Sequence, residues 1–454
     1  MRAERLIGDQ MAPNTQLDIL LDEAGWSHAG LAARVNNANA ARGKKSRYDH
    51  TAVTRWLRGQ RPRGAAPDVI AELLAQHLGR SVSLDDIGMG KPNSLPQPTS
   101  LGAYIDRAAA LWRSDQQHRI EHEQQAAIVG TPAIVPVWEW ENPPDDADVS
   151  HAGSLRVGAS DIEMLRGARS RYEQMYRASG GVATRGRIVS FLADHTAPLV
   201  RGTYTDAVGR DLLRATGGLV AVAGICAYDS DHQGLAQRYF HHALRLAKAS
   251  GDRAFGGYVV ALLTNQALFL KDYRQAVAFA EAGVRSAGSA LSPALATDLY
   301  AMQGKAFARM GDATGAHQAM SRAESAAAAI RRDEEPPETG YVQPGLVEAQ
   351  LAEALISLGD WTPARSYAEE AVRVQAHPRG QVHRMATLTT VDLGRGEVEQ
   401  AAGNALSALR LAAGMESERL RDRFVALRRQ LVQQQTASAR DAVEQIDAAL
   451  AVPI

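Results

Sequence analysis

Polar and cationic side chains that can hydrogen-bond to nucleic-acid bases recur along residues 49–63, DHTAVTRWLRGQRPR. The side chains predicted to lie nearest to base edges are His50, Thr51, Thr54, Arg55 and Arg58. Val53, Trp56 and Leu57 fall at i, i+3 and i+4 and would form the apolar back of a short helix. A helix with an apolar back and a cationic front suits a DNA groove. The alternative is a surface helix whose arginines are only solvated.

A second group of cations flanks this helix and suits phosphate binding. From Arg34 to Arg63 the chain holds nine Lys/Arg and one acid, Asp49, a local charge of 9 − 1 = +8, whereas the whole chain carries −1. Phosphate binding requires this local density of cations rather than a basic protein. The side chains expected to contact phosphates are Lys44, Lys45, Arg47, Arg61 and Arg63. Duplex DNA is therefore the predicted partner of this segment.

Four short helices are predicted to position these groups on one small core. The first begins at Thr15, the second follows a Ser27 cap, and the fourth begins at Pro67. The third is the helix of the basic face, and Gly59 ends it. The stretch SVSLDDIGMGKPNSLPQPTS then becomes rich in Pro, Ser and Gly, which indicates a linker. Residues 1–90 are therefore predicted to form a DNA-binding domain.

The order of helix, turn and second helix, ending in T-R-W-x-R-G-x-x-P, resembles the repressor/Cro-type helix-turn-helix over roughly residues 16–88. The resemblance implies that the second helix of the motif reads the major groove. The inter-helix connection is roughly ten residues longer than the usual tight turn, which leaves open whether the loop or the helix contacts the groove. Leu57 stands where such regulators often carry an acid, so an internal salt bridge of the domain stays open.

The composition indicates a globular, cytoplasmic protein. Hydrophobic residues make up 45% of the 454 residues, which supports packed cores. No apolar run approaches about 18 residues, and the N-terminal MRAERLIGDQ lacks an apolar signal core, so neither membrane insertion nor export is expected. The single cysteine, Cys226, lies in the apolar stretch GLVAVAGICAY and is expected to be a buried structural thiol rather than a reactive one.

No catalytic, cofactor or metal site is predicted. The chain lacks G-x-S-x-G, H-E-x-x-H and C-x-x-C motifs. His118 and His122 stand at i, i+4, a spacing that can hold a metal, yet no third ligand accompanies them and a solvated helix face is the preferred interpretation. Gly180 and Gly181 lack a phosphate-loop pattern and indicate a helix boundary. An enzyme within residues 150–210 is the remaining alternative.

Residues 91–156 are expected to be a linker and a partly helical connector. Within them, TPAIVPVWEWENPPDD is apolar and interrupted by prolines, which predicts a short β-like segment. Its two tryptophans, Trp138 and Trp140, are expected to cover the edge of a core rather than to bind a base. Residues 157–210 are predicted to be the helical N-terminal part of the region that follows.

Small residues recur at fixed offsets from residue 211 onward. The anchors are Ala236, Ala276, Ala316, Ala364 and Ala401, separated by 40, 40, 48 and 37 residues. Twelve residues before them stand Gly224, Thr264, Gly304, Ala352 and Thr389. An acidic or polar turn separates the two positions, as in L-K-D-Y, M-G-D-A and L-G-D-W. Each unit is therefore predicted to be a pair of helices that pack closely at small side chains and stack on the next pair.

This pattern resembles tetratricopeptide repeats, whose unit is nearer to about 34 residues. The resemblance implies five repeats over residues 211–413, with the extra length in extended helices or in loops such as 331–344. Residues 414–454 give two more helices that are expected to cap the solenoid. The predicted fold is all-α, with a small helix-turn-helix domain followed by a tetratricopeptide-like α-solenoid.

A groove on the concave side of this solenoid is the second candidate site. In tetratricopeptide proteins that bind peptides, the position eleven residues before the anchor faces the ligand, and Asn265, Lys305 and Glu353 hold it here. The candidate groove residues are Tyr258, Asn265, Lys305, Arg309 and Glu353. Asn265 and Lys305 would grip a peptide backbone or a carboxylate. The alternative is a hydrated groove with internal salt bridges.

As a whole, the chain resembles large actinobacterial transcription regulators that join an N-terminal helix-turn-helix to C-terminal tetratricopeptide repeats. The stretches GLAQRYFHHALRLAKASGDRAFGGYVV and HTAVTRWLRGQRPR carry this resemblance. It implies a regulator of development or antibiotic production that binds duplex DNA as a homodimer. A peptide, a small molecule or a protein partner is the effector expected in the repeat groove.

Two other classes of protein stay open. A repeat scaffold whose N-terminal domain binds a protein, such as a sigma factor or a kinase, would share this architecture. A toxin–antitoxin-like or phage-type repressor would use its repeats only for oligomerisation. Salt separates the scaffold from the regulator, because DNA binding by a basic segment weakens steeply as salt rises and an apolar protein interface does not.

Overall fold

The computed structural model describes residues 14–44, 46–62, 64–78, 82, 84, 86–89, 100–117, 126–143 and 145–451. Contacts divide the chain into two compact units, with the division between Ala110 and Leu111. Helices dominate both units, and the described residues contain no β-strand apart from two isolated backbone bridges. The all-α fold predicted from the sequence is therefore confirmed.

The first unit is a set of short helices around one apolar core. Its helices are α1 (Thr15–Glu23), α2 (His28–Ala41), α3 (His50–Leu57), α4 (Ala66–Leu78) and α5 (Leu101–Gln116), the last of which contains the division between the units. Leu17, Val35, Val53 and Ile70 are fully buried in this core, one from each of α1 to α4. Because its apolar side is fixed in the core, α3 must present its polar side outward.

The second unit begins with single helices and continues as helix pairs. The single helices are α6 (Val135–Glu141), α7 (Ala159–Ser179), α8 (Gly181–Phe191) and α9 (Ala197–Val200). The pairs are α10 (Asp206–Asp229) with α11 (Gln233–Ser250), α12 (Arg253–Phe269) with α13 (Tyr273–Ala287), α14 (Pro293–Arg309) with α15 (Ala313–Ala327), α16 (Leu346–Leu358) with α17 (Trp361–Arg373), and α18 (Pro378–Gly394) with α19 (Val398–Ala412). Two further helices follow, α20 (Glu418–Leu431) and α21 (Ala437–Leu450).

In each of the five pairs, a tight turn of the same kind joins the two helices. In each turn a single residue has a positive φ, and these residues are Asp231, Lys271, Gly311, Gly359 and Gly396. They are separated by 40, 40, 48 and 37 residues, the same spacing as the alanine anchors. The residue that follows caps the second helix, and at Asp272 and Asp312 the carboxylate accepts a backbone N–H. The repeating α-solenoid predicted from the sequence is therefore confirmed.

Small side chains allow the paired helices to approach closely. All five alanine anchors are fully buried. A Cβ added to Gly224 would lie 2.6 Å from the ring of Phe240 on the neighbouring helix, which is too close for any other residue type without a shift. Thr264 and Thr389 are also fully buried, and each hydroxyl donates to a carbonyl of its own helix at 2.8 Å. The predicted small positions thus pack the pairs and leave no hydroxyl unsatisfied.

The end of the solenoid is fastened to its beginning through Asp229, the last residue of α10. This fully buried carboxylate accepts the Gly181 N–H at 2.7 Å and the Ser417 hydroxyl at 2.9 Å, and it forms an ion pair with Arg379. The Glu416 N–H donates to the carbonyl of Ser179 at 2.9 Å beside it. The C-terminal helices therefore contact the first helices of the unit as well as the last pair.

The segment predicted to be β-like is helical instead. Thr131–Ile134 form a 3₁₀ turn, and α6 follows directly. Pro132 and Pro136 lie in the first turns of these two elements, where a missing N–H removes no helical hydrogen bond. Trp140 is buried and covers a core, as predicted, whereas Trp138 is 58% exposed.

One helix among the described residues, α10, is long and apolar enough to cross a membrane by length and composition alone, and 78% of its apolar stretch is buried inside the protein. Its longest stretch without a charged residue runs from 215 to 228, which is shorter than the run of about 18 residues sought in the sequence. Cys226 lies in α10 and is fully buried, as predicted, and burial raises the pKa of its thiol.

The boundary predicted at the paired glycines is confirmed. Gly180 has a φ of 91° and separates α7 from α8. His118 and His122 lie outside the described residues. Across the part of the chain that is described, no three His, Cys, Asp or Glu side chains come together in a way that would hold a metal ion.

Candidate functional site

The exposed side of α3 is polar and cationic. Asp49 caps the helix by accepting the Ala52 N–H at 2.8 Å, and this hydrogen bond lowers the pKa of Asp49 from its ordinary value of 3.8. Ala52, Val53 and Trp56 are buried on the opposite side. The exposed members of the predicted reading set are His50, Thr51, Arg55 and Arg58. The structure brings these four side chains together on one helix face.

Two side chains that were predicted to contact DNA form hydrogen bonds within the first unit. Thr54 is half-buried, and its hydroxyl donates to the His50 carbonyl at 2.9 Å and lies 3.4 Å from Nδ1 of His28. The Arg61 guanidinium donates to the carbonyl of Met89. Each of these side chains would have to exchange a contact within the protein for one to DNA.

The predicted phosphate contacts Lys44 and Arg47 are exposed. Both belong to residues 42–49, which join α2 to α3 and which we call the α2–α3 loop. Lys45 and Arg63 lie outside the described residues. The loop therefore brings two described cations to the same unit as the exposed face of α3.

Not every cation of the basic segment is free. Arg42 forms an ion pair with Glu72 of α4. The guanidinium of Arg34 lies 4.4 Å from the centre of the Trp26 ring and donates to the carbonyl of Gly30 at 3.1 Å. The local charge of the sequence therefore overstates the charge available for a ligand.

The second candidate site, the concave side of the solenoid, is occupied by the protein itself. The first helices of the pairs were predicted to line this side. Glu338, in the loop between α15 and α16, is buried and forms an ion pair with Arg214 of α10 at 2.8 Å. From α20, the guanidinium of Arg419 lies 3.6 Å from the centre of the Phe269 ring on α12. The loop and α20 therefore lie where a peptide was expected.

Tyr258 is not an exposed groove residue, contrary to the sequence prediction. It is buried, and its ring centre lies 6.2 Å from that of Tyr341 in the loop between α15 and α16. The Tyr341 hydroxyl donates to the Asp298 carboxylate at 2.5 Å. Burial raises the pKa of Tyr258. The long loop closes over this tyrosine, which local sequence offsets cannot reveal.

Lys305 and Glu353 form a buried ion pair at 2.8 Å rather than an open ligand clamp. Arg423 of α20 pairs with the same carboxylate. Burial alone would raise the pKa of Glu353, but Lys305, Arg423 and Arg309 hold it well below its ordinary value of 4.5. This arrangement is the internal salt bridge that the sequence left as the alternative. Asn265 and Arg309 are the predicted groove residues that stay exposed.

Sequence reasoning missed the residues that organise both sites. Asn36 and Asn39 of α2 hydrogen-bond to the α2–α3 loop. Asn39 is 5% exposed and stands four residues after the buried Val35, so an asparagine on the apolar stripe was an available signal of a structural role. Arg423 and Glu338 carry no such signal, because their partners are distant in the chain.

The first unit also has a counterpart among known protein families. Residues 17–90 match the family described as the SP15 N-terminal domain. The matched residues include α2, α3 and the α2–α3 loop, and therefore the whole described cationic face. Comparison with curated proteins finds no match.

Proposed function

We propose that the protein is a DNA-binding regulator of transcription whose α3 reads the major groove. One observation carries this proposal. Lys44, Arg47, Arg55 and Arg58 are exposed on the first unit, and none forms an ion pair with a carboxylate of the described residues. Exposed cations that form no such ion pair, in a chain whose net charge is −1, are suited to bind a polyanion such as DNA.

The two parts of this surface have different roles in the proposal. Arg55 lies on α3 and Arg58 is the residue that caps its C-terminal end. Both suit bidentate hydrogen bonds to guanine, with Thr51 and His50 beside them. Lys44 and Arg47 lie on the α2–α3 loop and suit phosphates, which set affinity and register without carrying sequence information.

The solenoid supplies dimerisation and the response to an effector in this proposal. A homodimer would present two copies of α3 to half-sites about 34 Å apart. Because Glu338 and α20 fill the concave side, an effector there would have to displace them, or would bind another surface. We further propose that the protein acts in the cytoplasm on genes of development or secondary metabolism, on the strength of its resemblance to regulators of that kind.

The test compares one reading residue with one phosphate-binding residue. Arg55→Ala should lower affinity for the preferred operator by about 1–3 kcal/mol and change other duplexes much less, because it removes a base contact. Lys44→Ala should weaken binding to all duplexes about equally and reduce the log–log salt slope by about 1. Footprinting on chromosomal DNA would supply the operator, and gel-shift titrations would measure both variants.

The reverse pattern, with Lys44→Ala changing sequence preference and Arg55→Ala weakening all duplexes equally, would contradict these roles. If neither variant changes binding, the cationic face is not the DNA surface.

A second candidate function, a repeat scaffold for a protein partner, is favoured by a different observation. Ile128, Val129, Val135 and Trp138 are each 49–58% exposed, and they lie within one short segment of the second unit. Exposed apolar side chains grouped in this way are typical of protein interaction sites. A scaffold would bind its partner with little change between low and moderate salt and would bind no duplex DNA, so a salt titration separates the two functions.

A further inference from the structure

We infer that Asn36 is a positioning residue for DNA binding, which holds the α2–α3 loop so that Lys44 and Arg47 act on phosphates together with α3. The inference rests on the proposed function and deepens it, because it assigns a role to a side chain that carries no charge. It follows from three connected observations on the first unit.

Asn36 binds both polar groups of the Tyr48 backbone. Its Nδ2 donates to the Tyr48 carbonyl at 2.8 Å, and its Oδ1 accepts the Tyr48 N–H at 2.9 Å. The same Oδ1 accepts the Ser46 hydroxyl at 2.9 Å. Because a backbone N–H can only donate and a carbonyl can only accept, the orientation of the Asn36 amide is fixed. One side chain therefore ties two loop residues to α2.

Asn39, one turn further along α2, extends the same network. Its Nδ2 donates to the Ser46 hydroxyl at 3.0 Å, and its backbone carbonyl accepts the Lys44 N–H at 2.9 Å. Ser46 thus accepts from Asn39 while it donates to Asn36. These hydrogen bonds connect α2 to two residues of the loop, Lys44 and Ser46.

The far end of the loop is fixed to α3. The rings of Tyr48 and Trp56 meet edge to face with their centres 5.0 Å apart. The next residue, Asp49, caps α3. Asn36, the loop and α3 therefore belong to one frame, anchored by the buried Trp56.

The consequence for binding concerns entropy rather than charge. Arg47 lies between Ser46 and Tyr48, whose positions Asn36 fixes, while the Arg47 side chain itself is exposed. A cation on a fixed backbone loses less conformational freedom when it contacts a phosphate than a cation on a free loop. Removal of Asn36 should therefore weaken phosphate contacts although every charge is still present.

The experiment uses the full chain and a fluorescein-labelled duplex of chromosomal sequence, with fluorescence anisotropy read over a series of salt concentrations. Asn36→Ala should reduce the log–log salt slope by about 1–2 and lower affinity roughly tenfold in about 0.1 M salt, as expected when two phosphate contacts weaken. Asn37→Ala is the matched control, an exposed neighbour on the same helix, and should leave both quantities unchanged.

A double-mutant cycle tests whether Asn36 acts through the loop cations. In the Lys44→Ala/Arg47→Ala background, Asn36→Ala should change affinity by less than about twofold, because the groups it positions are absent. A full additional loss in that background would overturn the inference. So would a salt slope of Asn36→Ala equal to that of the wild type.

Two further measurements separate this role from simple unfolding. Hydrogen exchange should accelerate at the Tyr48 amide of Asn36→Ala and stay slow in α3. Ser46→Ala, a smaller change in the same network, should lower the salt slope in the same direction, and an unchanged slope there would also count against the inference. A wild-type protein that binds no duplex in dilute buffer refutes the proposed function, whereas a wild type that binds and an Asn36→Ala that matches it refute only the positioning role.

Discussion

Removal of the Asp229 carboxylate should open the closed end of the solenoid. The carboxylate is fully buried and serves three partners, the Gly181 N–H at 2.7 Å, the Ser417 hydroxyl at 2.9 Å and the Arg379 guanidinium. Asp229→Ala would leave all three without this acceptor. The variant therefore tests whether the C-terminal helices are held on the first helices by this one residue.

The expected magnitude follows from the burial of the partners. The Arg379 side chain is 11% exposed, so Asp229→Ala leaves a nearly buried charge without its carboxylate, at a cost of about 3–5 kcal/mol. The double variant Asp229→Ala/Arg379→Met removes both charges and should recover much of that loss, because an apolar pair of similar volume is often close to neutral. Asp211→Ala on the same helix breaks only an exposed 3.7 Å pair and should cost about 0–1 kcal/mol.

Hydrogen exchange measures this opening locally. The Glu416 N–H donates to Ser179 at 2.9 Å, and the Val182 N–H donates to Glu416 at 3.3 Å, so both amides report on the closure. A loss of about 3–5 kcal/mol should speed their exchange by roughly a hundredfold or more. Exchange unchanged in Asp229→Ala, or a double variant no more protected than the single one, would refute the assignment of Asp229 as the residue that fastens the two ends.

Two further variants test packing and pH dependence. Gly256→Ala should lower the free energy of unfolding by about 1–3 kcal/mol, because the added Cβ would lie 2.2 Å from Nε1 of Trp140. Gly167→Ala should raise it by about 0.4–1 kcal/mol, because the space around Gly167 is open. Thermal unfolding would measure both variants. Burial lowers the pKa of His383 in the folded protein well below the ordinary histidine value of 6.5. As the pH falls below 6.5, this histidine is therefore protonated in the unfolded chain but not in the folded one. The free energy of unfolding should then decrease by up to about 1.4 kcal/mol per pH unit. His383→Gln should flatten that dependence, and an unchanged slope would contradict it.

Much of the fold could be predicted because its causes are local. The alanine anchors and the polar turns recur at intervals set by the helix pairs themselves, so their spacing carries over directly to the structure. At Gly311 and Gly359 the left-handed conformation of the turn could be predicted, because glycine favours it. Asp231 and Lys271 adopt the same conformation, which their residue types do not predict.

The errors of prediction have long-range or positional causes. The concave side was predicted to be open, but distant parts of the chain cover it, as when Arg423 of α20 pairs with Glu353 from 70 residues away. The periodicity of apolar residues along the sequence does not predict a contact between residues so far apart. The apolar run interrupted by Pro132 and Pro136 suggested an extended segment. Proline is also common in the first turn of a helix, where both of these prolines lie.

The candidate interface was predictable in its composition but not in its organisation. Arg55 and Arg58 fall off the apolar stripe of α3, and that arrangement alone places them at the surface. The engagement of Arg61 with Met89, and the clamp of Asn36 on Tyr48, depend on how the loops fold back and could not be read from spacing.

The most direct test of the central claim is a salt titration of the full-length protein on duplex chromosomal fragments, with Arg55→Ala/Arg58→Ala alongside. We expect the wild type to bind tightly in dilute buffer and to weaken steeply as salt rises, and we expect the double variant to lose preference for footprinted sites. Absence of wild-type binding to fragments of every sequence in dilute buffer would contradict the proposed function, and so would equal binding by the double variant.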